Sequence, residues 1–103
     1  MPTIDEARRY LGIDYTDEVV DANILRALND AAEYLKSAVG EDIFELLPDD
    51  RKVDRLVLAY TQELYDERGV SAKAGNAKRE MIHSMELQLR LELARAREGA
   101  ATV

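Results

Sequence analysis

Apolar residues recur along this 103-residue chain at intervals of three and four, the period of an α-helix that buries one face. The first such segment is short. Ile4, Ala7 and Leu11 share a face, and Thr3 and Glu6 have the spacing of a capping box, in which Thr accepts from a free N–H and Glu reaches back. Gly12 permits the left-handed turn that ends a helix, so the pattern predicts a helix over 4–11. The second segment is longer. Val20, Ile24, Ala27, Leu28, Ala31, Tyr34, Leu35 and Ala38 form one continuous apolar face. Thr16 is placed to cap it, Asp17 and Glu18 face the positive end of the dipole, and Gly40 is the stop. This predicts a helix over 17–39.

Residues 40–50, GEDIFELLPDD, break the period. Ile43, Phe44, Leu46 and Leu47 need burial, but Pro48 and the acids oppose a regular helix. The segment reads as a loop with apolar anchors and room for one helical turn. Asp49 or Asp50 caps a third helix over 51–67, whose spacing is carried by Val53, Leu56, Val57, Tyr60 and Leu64. Gly69 ends it, and GVSAKAGN at 69–76 reads as an exposed loop. Asn76 is placed to cap a last helix over 77–98, with Gly99 as its stop. Ile82, Met85, Leu89, Leu93 and Ala96 make one stripe on it, and Glu86 to Arg90 has the spacing of a favourable i, i+4 pair.

No alternating strand pattern and no internal repeat occurs. The expected fold is all-α: a short N-terminal helix plus three longer helices packed as a small bundle. The expected organisation is one helical domain over 1–98 with a flexible tail at 99–103. Helical content should exceed about 60%.

Two of the helices carry a second apolar line. Leu58 and Tyr65 lie about 120–140° from the main stripe of the third helix. Leu87, Leu91 and Ala94 lie nearly opposite the first stripe of the last helix. A helix that is apolar on two sides is either central in a bundle or packed on another chain. With only three long helices, subunit contact is the expectation, and Leu58, Tyr65, Leu87 and Leu91 are the candidate interface.

Composition narrows the chemistry. The chain has no Cys, so disulfides, thiolate metal sites and Cys nucleophiles are excluded. With one Phe and no Trp, the core must be built from Leu, Ala, Ile and Val. No apolar run approaches the ~20 residues of a membrane span. The start, MPTIDEARRY, is acidic and amphipathic, unlike a secretory leader. The formal charge of −7 is uneven: residues 1–50 hold thirteen acids and four Lys/Arg, and residues 51–103 hold eight acids and ten Lys/Arg. Phosphate capture rests on Lys and Arg, so the acidic half opposes nucleic-acid binding, and the two halves are suited to attract each other across a subunit contact.

No catalytic set emerges. His83 is the lone His, and with Glu80 it spells Glu-x-x-His, as in di-iron carboxylate bundles. Such a site needs two of these motifs and two further Glu, of which Glu63 is one candidate, and the expectation is no metal. Asp17, Glu18 and Asp21, and likewise Glu41, Asp42 and Glu45, lack the EF-hand spacing and read as caps and solvated faces. Residues 75–78 lack the features of a P-loop. Ser84 adjoins His83, but neighbouring helix residues point about 100° apart, so a nucleophile–base pair has no support. The reading is a non-enzyme without catalytic residues or cofactors.

The order of the segments resembles a known family. Ile4-Asp5-Glu6-Ala7 leads to Tyr10-Leu11-Gly12-Ile13-Asp14, then Asp17-Glu18, and then the helix with Ile24, Ala31, Ala32 and Tyr34. Leu56-Val57-Leu58-Ala59-Tyr60 is followed by Leu64-Tyr65-Asp66-Glu67-Arg68, and Ile82-His83-Ser84-Met85 runs into Gln88-Leu89-Arg90. Over about residues 3–92 the chain resembles the small head–tail connector (head-completion adaptor) family of tailed double-stranded-DNA bacteriophages, often found in prophages. Two features depart from it: the GVSAKAGN loop, and the charged extension Leu91-Glu92-Leu93-Ala94-Arg95-Ala96-Arg97.

The resemblance implies a structural virion protein, made in the bacterial host cytoplasm and located in the virion neck. Its partners would be itself, in a ring of about twelve copies, the portal protein above, and a neck or tail completion protein below. DNA would pass through the channel without specific binding, and an acidic lining would keep it from sticking. Arg68, at the Leu-Tyr-x-x-Arg end of the third helix, joins the candidate interface. The alternatives are a small helical homo-oligomeric adaptor and a DNA-binding regulator of a prophage. The regulator would need a basic recognition helix after a tight turn, and the best turn here leads into an acidic helix.

Overall fold

In the computed structural model, residues 1–66 and 76–101 are described. Every regular element among them is helical: α1 (Ile4–Tyr10), α2 (Glu18–Ala38), α3 (Ile43–Leu46), α4 (Arg51–Asp66) and α5 (Asn76–Ala101). The all-α expectation is met. The loop expected at 69–76 lies almost wholly outside the described residues, as does Arg68.

The helix ends follow local chemistry. Thr3 and Glu6 form the reciprocal capping box, with Glu6 N donating to Thr3 Oγ1 at 3.2 Å and Thr3 N to Glu6 Oε1 at 3.3 Å. Gly12 closes α1 with a φ of 77°, a left-handed conformation that a Cβ would strain. Asp17, not Thr16, caps α2: its Oδ1 accepts from Val19 N at 2.9 Å and Val20 N at 3.1 Å. A carboxylate takes both orphan donors and adds a charge at the positive end of the dipole, which a hydroxyl lacks. Asp50 Oδ1 accepts from Lys52 N at 2.8 Å at the start of α4, and the single turn α3 sits inside the irregular 40–50 segment.

α2 and α4 form the main pair, α1 packs across both, and α5 lies against α4 and α3. Ile24, Leu28, Ala31 and Leu35 of α2 meet Val53, Leu56, Val57 and Tyr60 of α4, with Ala7, Ile43, Ile82, Leu89 and Leu93 closing the core. The molecule measures 47 × 30 × 18 Å. A thickness of 18 Å admits about two layers of helices of ~10 Å diameter, so a helix face turned away from the other layer finds no internal partner. Tyr34 departs from its expected place in the core. It lies about 90° round α2 from the Ile24–Leu28–Leu35 line. Its ring is exposed and meets Tyr60 edge-on, 4.8 Å between centroids and 72° between planes.

The last helix is longer than the pattern predicts. α5 runs through Gly99 to Ala101, taking in three of the five residues expected to form a tail. Gly99 has no left-handed turn to impose, because Gly12 is the glycine with positive φ among the described residues. A helical Gly costs only about 1 kcal/mol relative to Ala, and Ala100 and Ala101 favour continuation.

Gly40 is required for a different reason. A Cβ there would stand 2.5 Å from Leu93 Cδ2 and 2.7 Å from Arg97 Nη2, where α5 crosses the α2–α3 corner. Leu93 is fully buried and has no room to yield. Gly40→Val is therefore expected to cost about 1–3 kcal/mol of stability by overpacking, read as a lowered urea midpoint with an unchanged slope. Gly99→Ala, with open space around it, should be neutral or slightly stabilising in the same assay.

Candidate functional site

The two apolar lines singled out by spacing have different fates. Leu87 and Leu91 stand on the outer face of α5, 59% and 64% exposed, with Ala94 exposed one turn further along. Four residues make about one turn, so the two leucines form one line along the helix. The opposite face of α5 supplies Ile82, Leu89 and Leu93 to the core, which is complete without the outer line. Leu58 and Tyr65 on α4 are half-buried and pack against the edge of the core. They keep part of their surface outside the core, on a helix that α1, α2 and α5 all touch.

Polar links fix the orientation of α5, and through it the outer line. Arg97 Nε and Nη2 donate to Asp42 Oδ2 and Oδ1 at 2.8 and 2.6 Å, a two-pronged contact to the α3 corner. Arg90 Nε donates to the carbonyl of Ala38 at 2.8 Å, at the negative end of α2. Lys52 of α4 pairs with Glu92. The Arg97 hydrogen bond holds the Asp42 carboxyl below its ordinary 3.8. A depressed carboxyl pKa stabilises the fold above the ordinary carboxylate range, and that contribution is lost as pH falls through the depressed value. Both partners are partly exposed, so the link serves placement more than stability.

Glu86 is the residue the pattern misassigned. It is not paired along the helix with Arg90. It is only 8% exposed and accepts a hydrogen bond from Tyr60 Oη at 2.6 Å. It falls four residues after Ile82 and three before Leu89, so it occupies a position of the core stripe. That spacing was the available signal. Burial, with the Glu86 hydrogen bond second, pushes the Tyr60 phenol well above its ordinary 10.0.

Tyr60→Phe leaves a buried carboxylate without its donor and is expected to cost about 1–3 kcal/mol at neutral pH. The sign of the pH effect follows from the raised phenol. The native state keeps its proton where the unfolded chain loses it, so this contribution is full below about pH 10 and is lost as pH rises through the folded value. The wild type should weaken in alkali more steeply than Tyr60→Phe, measured by urea denaturation between pH 8 and pH 11.

The other candidates are dispersed. His83 is exposed, with Nδ1 3.9 Å from Glu86 Oε2, and Glu80 is exposed beside it. Glu63 is half-buried on α4. Among the described residues, no group of three or more His, Asp or Glu is placed to hold a metal ion. Asp17 is a cap, Asp21 pairs with Arg8 at 3.2 Å, and Asp42 is held by Arg97. No helix among the described residues is long and apolar enough to cross a membrane.

The geometry therefore offers a rigidly placed apolar line on a long helix, and no assembled constellation of reactive groups among the described residues. Compared with protein-family models, with curated proteins and with solved structures, the chain matches none.

Proposed function

We propose that the chain is a structural, non-enzymatic subunit that assembles with copies of itself, and specifically a head–tail connector of a tailed bacteriophage. The observation that carries the reading is the exposure of Leu87 and Leu91 on a helix whose other face already completes the core. Exposed paired leucines held on a rigid helix favour association, because covering them removes apolar surface from water without ordering new backbone. The sequence resemblance over about residues 3–92 narrows the assembly to a ring below the portal, in the virion neck. There the ring extends the DNA channel and bridges the capsid to the neck or tail. The net charge of −7 suits a channel that passes DNA without holding it.

The test is to mix the purified chain with a portal ring and to measure mass by light scattering and shape by negative-stain electron microscopy. The connector reading expects a second ring stacked on the portal. Self-assembly that ignores the portal supports the alternative, a homo-oligomeric adaptor with another partner. A chain that stays monomeric in both settings contradicts both readings.

A further inference from the structure

A ring built from head-to-tail contacts needs two different surfaces on each copy, one to insert and one to receive. The exposed line on α5 supplies the first. The receiving surface is sought among the other exposed large apolar residues, of which Val19 is the most exposed. Tyr15 and Val19, 56% and 70% exposed, stand four residues apart where the α1–α2 connection enters α2.

The charges near the two places differ in sign on balance. Asp14, Asp17 and Glu18 are sequence neighbours of Tyr15 and Val19, while Arg8 and Arg9 border the same hollow as Asp14 and Tyr15, with Arg8 tied to Asp5 and Asp21. Asp14 and Glu18 have no ion pair among the described residues, and Asp17 caps α2. Beside Leu87 and Leu91 stand Arg90 and Arg95. Arg90 meets a carbonyl and not a carboxylate, and Arg95 has no ion pair among the described residues. Glu92, the acid between them, is tied to Lys52. Glu80 and Glu98 lie seven residues outside the leucines at either end, about two turns away.

We propose that the Leu87–Leu91 line of one copy docks on the Tyr15–Val19 corner of a second copy, with Arg90 and Arg95 facing Asp14 and Glu18. The inference rests on the self-assembly reading and adds the receiving surface. The contact cannot close within one chain. Arg90 anchors α5 at Ala38, the far end of α2, and Val19 lies nineteen residues away along that helix, about 28 Å. Two patches separated in this way leave each copy with one free surface of each kind, so addition continues until a ring closes. The charge pairing sets which way round the copies meet more than how tightly they hold.

The absence of Cys from the chain makes the test direct. Val19→Cys and Leu91→Cys are made as separate variants, both at exposed positions, with circular dichroism to verify that each is folded. Each variant alone, and an equimolar mixture, is treated with a short bismaleimide, while light scattering follows assembly. Tyr15→Cys with Leu87→Cys serves as a second pair. The expected result is a covalent dimer in the mixtures and its loss when either variant is treated alone. Assembly without a cross-link in either mixture overturns the docking site and leaves self-association standing. Cross-linking of Leu91→Cys to itself points to a two-fold contact and also overturns the proposal. A wild-type chain that does not assemble, with no cross-link in either mixture, removes both the docking site and the reading beneath it.

Discussion

Leu56→Ala is expected to lower the free energy of unfolding by about 2–5 kcal/mol, the range for a large-to-small change that leaves a cavity. Leu56 is fully buried on α4, the helix that touches α1, α2 and α5. Its loss therefore loosens several contacts at once, and its neighbours cannot collapse into the space without moving a whole helix. Ile24→Ala, fully buried on the facing side of α2, should behave alike. Domains of this size have about 5–15 kcal/mol in total, so either change removes a large share. Urea denaturation followed by circular dichroism checks this. The midpoint should fall sharply with little change in slope.

The second large effect is of the opposite kind. Replacing Leu87 and Leu91 together with Ser should leave stability within about 0.5 kcal/mol per site, as for other exposed substitutions. It should remove the self-association that the exposed line is proposed to drive. Both side chains are more than half exposed in the single chain, so the folded monomer has little to lose. An interface built around two leucines loses its apolar centre, and interface energy is concentrated in such centres. The two mutant sets separate the roles. Core variants should lose ellipticity at lower urea, whereas the Leu87/Leu91 variant should keep ellipticity and lose scattering mass. If the Leu87/Leu91 variant unfolds like Leu56→Ala, these leucines are structural and the interface must be sought on another surface.

Much of the fold was legible because helices reveal themselves by period and punctuation. Ile24, Leu28, Ala31 and Leu35 on one face, Val53, Leu56, Val57 and Tyr60 on another, and the Thr3–Glu6 box are local signals, and local physics is sufficient to produce them. The departures share a cause: a pattern gives an angle around a helix but not the neighbour found at that angle. Glu86 looks like a surface acid until Tyr60 is placed opposite it. Gly99 looks like a stop, but a Gly ends a helix only where a left-handed turn is stabilised beyond it. Thr16 and Asp17 are both good caps, and competition between neighbours is settled by which one reaches two N–H groups. The outer line of α5 was legible for the same reason in reverse: with two helix layers, nothing among the described residues covers Leu87 and Leu91.

The central claim, that this is a self-assembling structural subunit, is tested most directly by electron microscopy of the purified chain over a range of concentrations, alone and with a portal ring. The account predicts closed rings of uniform diameter, either free or stacked on the portal, that disappear in the Leu87/Leu91 variant. A wild-type chain that remains a single 11.6 kDa particle under every one of these conditions contradicts it.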